Sequence, residues 1–185
     1  MCGFKFKRYV LIIFAISNFM VLLPGVFAAD QNLKIGDKVP DFVLEGADGQ
    51  QYRLDKMGGK TVILVLSPRK VGDDGDRLVN MLMKSFPKNE GLEIFTVFDM
   101  LGIPFFITDD FVRGKVREKQ ENHPVTILMD WKQKVNNLLG ANEDEIDVFI
   151  IDPSGFLVSH QVGTYSEHKL NLLIKEIKKT SKSSN

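Results

Sequence analysis

Residues 61–98 read TVILVLSPRKVGDDGDRLVNMLMKSFPKNEGLEIFTVF, and their pattern of apolar residues indicates the fold class. Its first part, Thr61–Leu66, consists entirely of β-branched residues and leucine, which is typical of a strand buried on both faces. Residues 76–86 carry apolar side chains at helical spacing, and Pro87 ends the predicted helix. Residues 92–98 form a second apolar run that indicates another buried strand. Strand, helix and strand in this order predict a right-handed βαβ unit with parallel strands.

The residues before this unit predict a β-hairpin. Residues 41–45 and 51–54 alternate between apolar and polar side chains, and the turn between them contains Gly46 and Gly49. Glycine adopts the positive φ angles of tight turns without strain. We therefore expect the hairpin to extend the sheet at its N-terminal end.

The residues after the unit predict further helices and strands. The predicted helices cover residues 111–120 and 132–139, and the predicted strands cover residues 125–129, 146–151 and 156–161. A tight turn at residues 152–155 joins the last two strands into an antiparallel hairpin.

The last part of the chain predicts a helix. It has an apolar stripe at helical spacing, formed by Leu170, Leu173, Ile174 and Ile177. Thr164 and Glu167 have the spacing of a capping box at its start. Together the elements predict an α/β fold in which a central mixed β-sheet carries helices on both faces and an N-terminal β-hairpin extension.

The first 28 residues have the organisation of a secretory signal peptide. Three basic residues precede an apolar run over residues 9–27, and small residues follow it. We predict a signal peptide over residues 1–28, cleavage after Ala28, and one domain over residues 29–185 in the periplasm. The alternative is an uncleaved N-terminal anchor with the domain facing the periplasm, because about 20 apolar residues can span a bilayer.

Cysteine content and charge restrict the chemistry of the domain. Cys2 is the only cysteine, so cleavage after Ala28 leaves a domain without a thiol. Residues 1–28 contain three basic residues and no acidic one, so residues 29–185 contain 21 basic and 24 acidic residues and have a net charge of −3. A mildly acidic domain has no broad basic surface for nucleic acid or for an anionic membrane.

The order of the elements resembles the redoxin branch of the thioredoxin-like superfamily, which includes AhpC/TSA-like and TlpA-like proteins. The segments that carry the resemblance are Gly36 and Pro40 to Phe42, residues 124–130, and the closing hairpin with Ile151, Asp152, Gly155 and Gly163. The predicted export, the scarcity of cysteine and the segments Ile103-Pro104, Phe111 to Arg113 and Pro124 to Asp130 are together similar to the YtfJ-type family of cysteine-poor periplasmic proteins. The resemblance implies a thioredoxin-like fold and a periplasmic location, and it leaves the function open.

The same resemblance implies that the redox site is missing. In catalytic relatives a cysteine follows the first buried strand, at the N-terminus of the next helix, where the helix dipole stabilises its thiolate. Here Lys70 and Asp73 stand at the positions of the usual CxxC cysteines. Ile146, followed by Asp147, stands where relatives carry a cis-proline, and we expect a trans peptide there because a cis bond at a non-proline residue is costly.

The corresponding groove is a candidate binding site for a ligand or a partner. Its predicted residues are Ser67, Arg69, Lys70, Asp73, Ile146 and Asp147. Two interpretations of Lys70 with Asp73 remain open, namely an anion or polar ligand at the helix start and ordinary helix-start electrostatics. Trp131 with residues 103–107 is either an exposed recognition surface or a buried cluster.

We find no enzyme motif. The sequence places no histidine with an adjacent acid near Ser67, and the spacing of His123, His160 and His168 fits no metal motif. We therefore predict no catalytic residue, no cofactor and no metal.

The leading hypothesis is a non-catalytic binding or accessory protein of the cell envelope. Its partner is predicted to be an envelope protein or a small ligand and not nucleic acid, with membrane contact only through an uncleaved signal segment. The alternative is a thioredoxin- or peroxiredoxin-like oxidoreductase that acts with a partner's thiol.

Overall fold

In the part of the chain that the computed structural model describes, residues 33–87 and 91–182, seven strands form one mixed sheet. The strands are β1 (Val43–Gly46), β2 (Gln51–Arg53), β3 (Thr61–Leu66), β4 (Leu92–Asp99), β5 (Thr126–Asp130), β6 (Asp147–Ile151) and β7 (Leu157–Val162). Their order across the sheet is β2-β1-β5-β4-β3-β6-β7, so the fully buried β3 lies between β4 and β6.

Four α-helices accompany the described strands, namely α1 (Gly72–Ser85), α2 (Asp109–Gln120), α3 (Lys134–Leu139) and α4 (Glu167–Lys182). Successive residues of a strand point to opposite faces, so β3 divides the core in two. Ile63 and Val65 belong to the cluster that α1 and α4 complete. Leu64 and Leu66 belong to the cluster that includes α3 and the N-terminal segment. Helices therefore cover both faces, as predicted.

The strand pairing confirms the predicted βαβ unit and both hairpins. β3 and β4 are parallel, with Thr61 opposite Leu92, and α1 connects them. β1 and β2 form the antiparallel N-terminal hairpin, and β6 and β7 form the antiparallel C-terminal one. β1 also pairs with β5, where Glu45 lies opposite Met129. The hairpin thus extends the central sheet.

The helix starts differ from the prediction, by two residues each for α2 and α3 and further for α1. α1 begins at Gly72, four residues before the predicted start at Asp76. The prediction missed these residues because the apolar periodicity that marks a buried helix face is absent from the first turn. α4 begins at Glu167, and the Oγ of Ser166, not of Thr164, accepts a hydrogen bond from the Lys169 N–H at 3.3 Å. Thr164 therefore lies before the first helical turn.

The predicted signal peptide over residues 1–28, its cleavage after Ala28 and Cys2 lie outside the described residues. None of the helices in the described part of the chain has the length and apolar character needed to span a bilayer.

Candidate functional site

The candidate site lies at the carboxyl ends of β3 and β4, which are parallel neighbours. Ser67 follows β3 directly, and its Oγ donates a hydrogen bond to the carbonyl oxygen of Val71 at 3.2 Å. Gly75 in the first turns of α1 lies against Ser67, since a Cβ at position 75 would be 2.4 Å from the Ser67 Oγ. The absence of a side chain at Gly75 therefore lets the start of α1 approach the end of β3.

Lys70 lies in the connection between β3 and α1, and Asp73 lies in the first turn of α1. The Lys70 ammonium pairs with the carboxylate of Asp144, which belongs to the loop before β6. This ion pair joins the two loops that form the sides of the predicted groove. Both side chains are exposed, at 56% and 73%, so the pair is accessible to solvent and to a partner.

Ile146 and Asp147 are buried, so their side chains add no surface to the groove. The Asp147 carboxylate accepts the N–H of Asn142 at 2.7 Å and lies 2.5 Å from the Nε2 of His160. The His160 ring stacks on Phe149 with 4.1 Å between ring centroids. Asp147 therefore positions the loop that presents Asp144, and the exposed side of the groove is formed by that loop.

A cavity of about 390 Å³ opens beside the start of α1. It lies between that helix start, the end of β4, the loop over residues 100–108 and α2. Most of its lining is apolar and consists of Phe98, Met100, Ile103, Pro104, Ile107, Phe111, Val112 and Val116. Ser67 and Arg69 of the predicted site also line it, whereas Lys70 and Asp73 do not.

The sequence left open whether residues 103–107 and Trp131 form an exposed surface or a buried cluster, and the loop contains residues of both kinds. Ile103 and Ile107 line the cavity and are partly buried. Phe105 and Phe106 are 100% and 73% exposed, and their rings contact each other edge to face. Trp131 is partly buried and packs against the cluster around Ile127. The exposed part of this region is therefore the loop tip at Phe105 and Phe106, and Trp131 does not belong to it.

Three cationic side chains, those of Arg69, Lys115 and Lys119, line the cavity. Arg69 donates a hydrogen bond from Nη2 to the carbonyl oxygen of Leu101 at 3.1 Å, which ties the loop to the start of α1. Lys119 pairs with Asp76 at 2.7 Å, and Lys115 pairs with Glu118 at 2.7 Å. Arg69 and Lys115 are exposed and stand at the rim.

A second, more polar pocket of about 310 Å³ lies on the other side of Ser67. Its lining includes Gln133, Asn136 and Asn142. Gln133 has a left-handed φ of 51°, and its Nε2 donates to the Asp99 carboxylate at 2.8 Å. The Oδ1 of Asn136 is buried without a hydrogen-bond partner among the described residues. Sequence reasoning missed this pocket because its residues come from three separate segments.

Sequence reasoning also missed a cluster formed by Glu45, Arg113 and Trp131. Arg113 donates two hydrogen bonds to Glu45, and Trp131 donates one from Nε1 to the same carboxylate at 3.0 Å. The hydrogen bond from Arg113 lowers the pKa of Glu45 below its usual value, and it raises the pKa of Arg113. The cluster lies on α2, β1 and the end of β5 and stabilises their packing.

Two of the histidines, His123 and His160, have their contacts outside the two pockets. The Nδ1 of His123 lies 2.9 Å from the Val125 carbonyl oxygen and its Nε2 lies 3.3 Å from the Asp76 carboxylate, and the Nε2 of His160 lies 2.5 Å from the Asp147 carboxylate. Neither histidine lines the two pockets. Among residues 33–87 and 91–182 no group of three His, Cys, Asp or Glu side chains is arranged to hold a metal ion.

Comparison with known proteins supports the fold. The model of the AhpC/TSA family matches residues 35–160. No curated protein sequence matches the chain. A Bacteroides thetaiotaomicron structure assigned as a protein disulfide isomerase is 19% identical, with a TM-score of 0.64, covering 81% of this chain and 91% of the other. A Chlorobium tepidum structure assigned as the thiol:disulfide interchange protein DsbE is 20% identical, with a TM-score of 0.63, covering 80% and 99%.

A third similar structure is the bacterioferritin comigratory protein of Xanthomonas campestris, described with an alkyl peroxide reduction activity. It is 15% identical, with a TM-score of 0.59, covering 80% of this chain and 98% of the other. At these identities the likeness establishes the thioredoxin-like fold and leaves activity open. The YtfJ-type subgroup stays a prediction.

Proposed function

The chain belongs to the AhpC/TSA family, and we propose that it is an exported member that binds a ligand or partner instead of carrying out thiol redox chemistry. The binding site is the surface at the carboxyl ends of β3 and β4, the edge of an α/β sheet at which ligands commonly bind. The observation that carries the proposal is the apolar cavity of about 390 Å³ beside the start of α1.

The residues at the start of α1 support a role without redox chemistry. Lys70 and Asp73 stand where the resemblance places the cysteines of catalytic relatives. Neither an amine nor a carboxylate can form a mixed disulfide with a substrate or reduce a peroxide, because both reactions need a thiolate. The only cysteine of the chain, Cys2, precedes the predicted cleavage point. The scaffold is therefore available for binding.

The proposed location is the periplasm, and it depends on the predicted signal peptide over residues 1–28. The test starts from the full chain, expressed in a Gram-negative host and purified from the periplasmic fraction. The intact mass of that sample is expected to correspond to a chain that begins at Ala29. A mass that retains residues 1–28, found in the membrane fraction, would favour the anchored alternative.

The same sample tests the proposed function. Dithiol-dependent insulin reduction and peroxide consumption are measured for the wild type and for Lys70→Ala, with a thioredoxin as positive control. We expect both chains to show the rate of the buffer blank. Turnover by the wild type above the blank would overturn the proposal. Turnover that needs a second envelope protein, and that is lost when a cysteine of that protein is replaced, would establish the oxidoreductase alternative.

A further inference from the structure

The side chains that line the apolar cavity restrict the class of ligand that it can bind. The inference drawn from them depends on the proposed binding role of this site. Met100 and Val116 form its buried inner wall, at 8% and 7% exposure. Ile103, Ile107 and Val112 surround them and are partly buried. A ligand that enters therefore exchanges water for aliphatic side chains over most of its surface, which is favourable only for an apolar body.

The polar groups of the inner wall already have partners. The Ser67 Oγ donates to the Val71 carbonyl oxygen at 3.2 Å. The Asp99 carboxylate accepts the N–H of Leu101 at 2.8 Å and the Nε2 of Gln133 at 2.8 Å. A peptide backbone or a sugar in the cavity would leave its own amides or hydroxyls without hydrogen bonds, which is costly in an apolar site. A hydrocarbon chain has no such groups.

The cationic side chains that line the cavity indicate the charge of the ligand's polar end. Lys115 and Lys119 each have an acidic partner, Glu118 and Asp76. Arg69 differs from them, since within the described part of the chain its guanidinium donates one hydrogen bond, to Leu101, and pairs with no carboxylate. Guanidinium groups bind carboxylates through paired N–H donors, so Arg69 has free donors for an anionic head group at the cavity mouth.

We propose that this cavity binds one unesterified long-chain fatty acid, with its hydrocarbon chain against Met100, Ile107 and Val116 and its carboxylate at Arg69. The volume of about 390 Å³ lies near the lower end of the roughly 300–1,000 Å³ that ligand pockets span. A pocket of this size fits a single chain and not the two chains of a phospholipid.

The experiment measures binding of cis-parinaric acid, a fluorescent fatty acid, and of its methyl ester to the full chain. The variants are Arg69→Gln, the control Arg77→Gln, and Val112→Trp, which places a large ring in the cavity. Arg77 is on α1 and 75% exposed, and it does not line the cavity. We expect Arg69→Gln to weaken binding of the acid about tenfold, the usual order for a lost charge-assisted hydrogen bond.

The ester and the other variants have their own expected results. Arg69→Gln leaves the ester affinity unchanged, Arg77→Gln binds both probes like the wild type, and Val112→Trp loses both. Thermal unfolding shows whether Val112→Trp is folded, and Ile103→Trp in the loop fills the same cavity if it is not. Because every variant carries the same N-terminal segment, binding to that segment cannot produce these differences.

The inference is overturned by equal affinity for the acid and the ester, by an unchanged acid affinity in Arg69→Gln, or by no binding of the acid by the folded wild type. Preferential binding to phosphatidylglycerol vesicles over the free acid would also overturn it in favour of a membrane lipid. If the acid does not bind and the turnover rates equal that of the buffer blank, the fatty-acid inference is wrong and the proposed function stands. Thiol-dependent turnover by the wild type would instead overturn the proposed function.

Discussion

Arg113 of α2 donates two hydrogen bonds to the carboxylate of Glu45 in β1, from Nε to Oε1 at 2.7 Å and from Nη2 to Oε2 at 3.2 Å. Trp131 completes the contact, because its ring centroid lies 4.8 Å from the Arg113 guanidinium carbon. Both members of the pair are largely shielded from solvent, with side-chain exposures of 32% and 19%. A paired guanidinium and carboxylate in such a position contribute more to stability than an exposed ion pair.

Replacing Arg113 with leucine is expected to lower the free energy of unfolding by about 1 to 2 kcal/mol, because Glu45 then keeps its burial and loses two charge-assisted hydrogen bonds. Chemical denaturation at neutral pH measures the change. Arg77→Leu, at an exposed site on α1, is the matched control and should stay within about 0.5 kcal/mol of the wild type. Equal effects of the two substitutions would show that the pair with Glu45 adds nothing.

The same pair predicts a dependence of stability on pH. The hydrogen bond from Arg113 lowers the pKa of Glu45 in the folded chain, so this carboxylate contributes stability above its unfolded pKa of about 4.3. That contribution is lost as the pH falls through the folded pKa. The difference in unfolding free energy between wild type and Glu45→Gln should therefore be largest near neutral pH and shrink below about pH 4. A difference that is constant with pH would contradict the assignment.

Gly75→Ala is expected to destabilise the protein by about 1 to 2 kcal/mol. A Cβ at this position would lie 2.4 Å from the Ser67 Oγ and 2.7 Å from its Cβ. Gly114→Ala, in the middle of α2 with open space around it, is the control and should stabilise by about 0.5 to 1 kcal/mol. Adding Ser67→Gly to Gly75→Ala should recover most of the loss, and no recovery would show that the clash lies elsewhere.

Asp130→Ala is expected to lower the free energy of unfolding by about 2 kcal/mol and to destabilise the first turn of α3. The Asp130 carboxylate accepts the N–H groups of Lys134, Val135 and Asn136 at 2.8, 2.7 and 3.1 Å. Hydrogen exchange should therefore accelerate at these three amides more than at the amides of α4. Asp130→Asn, which keeps one acceptor oxygen, should lie between the wild type and alanine. Unchanged exchange in Asp130→Ala would exclude the capping role.

The exposed loop tip predicts a variant that changes the surface without changing the fold. Phe105→Ser with Phe106→Ser should leave the free energy of unfolding within about 0.5 kcal/mol, because the two rings are solvent-exposed. Fluorescence of an added hydrophobic dye should fall in the same variant, since an exposed apolar surface is removed. A large loss of stability would mean that the rings are buried in solution.

The α/β class, the βαβ unit and both hairpins were predictable from the sequence, since they depend on local patterns. The apolar run of β3 and the periodicity of α1 and α4 reflect which side chains are buried, and burial is the dominant stabilising effect. The apolar pattern predicts the start of α1 at Asp76 because Gly72 and Asp73 carry no apolar side chain. In the structure these residues are helical, since the connection from β3 directs them into the first turn.

The sequence alone also shows that residues 29–185 contain no cysteine, and its pattern puts Ser67, Arg69, Lys70 and Asp73 around the start of α1. Which of these residues line a pocket depends on the tertiary structure. In the folded chain Asp147 is buried against His160, Lys70 pairs with Asp144, and Arg69 lies at the mouth of an apolar cavity. Strand and helix patterns depend on neighbours in the chain, whereas a cavity and its charges depend on segments that meet only after folding.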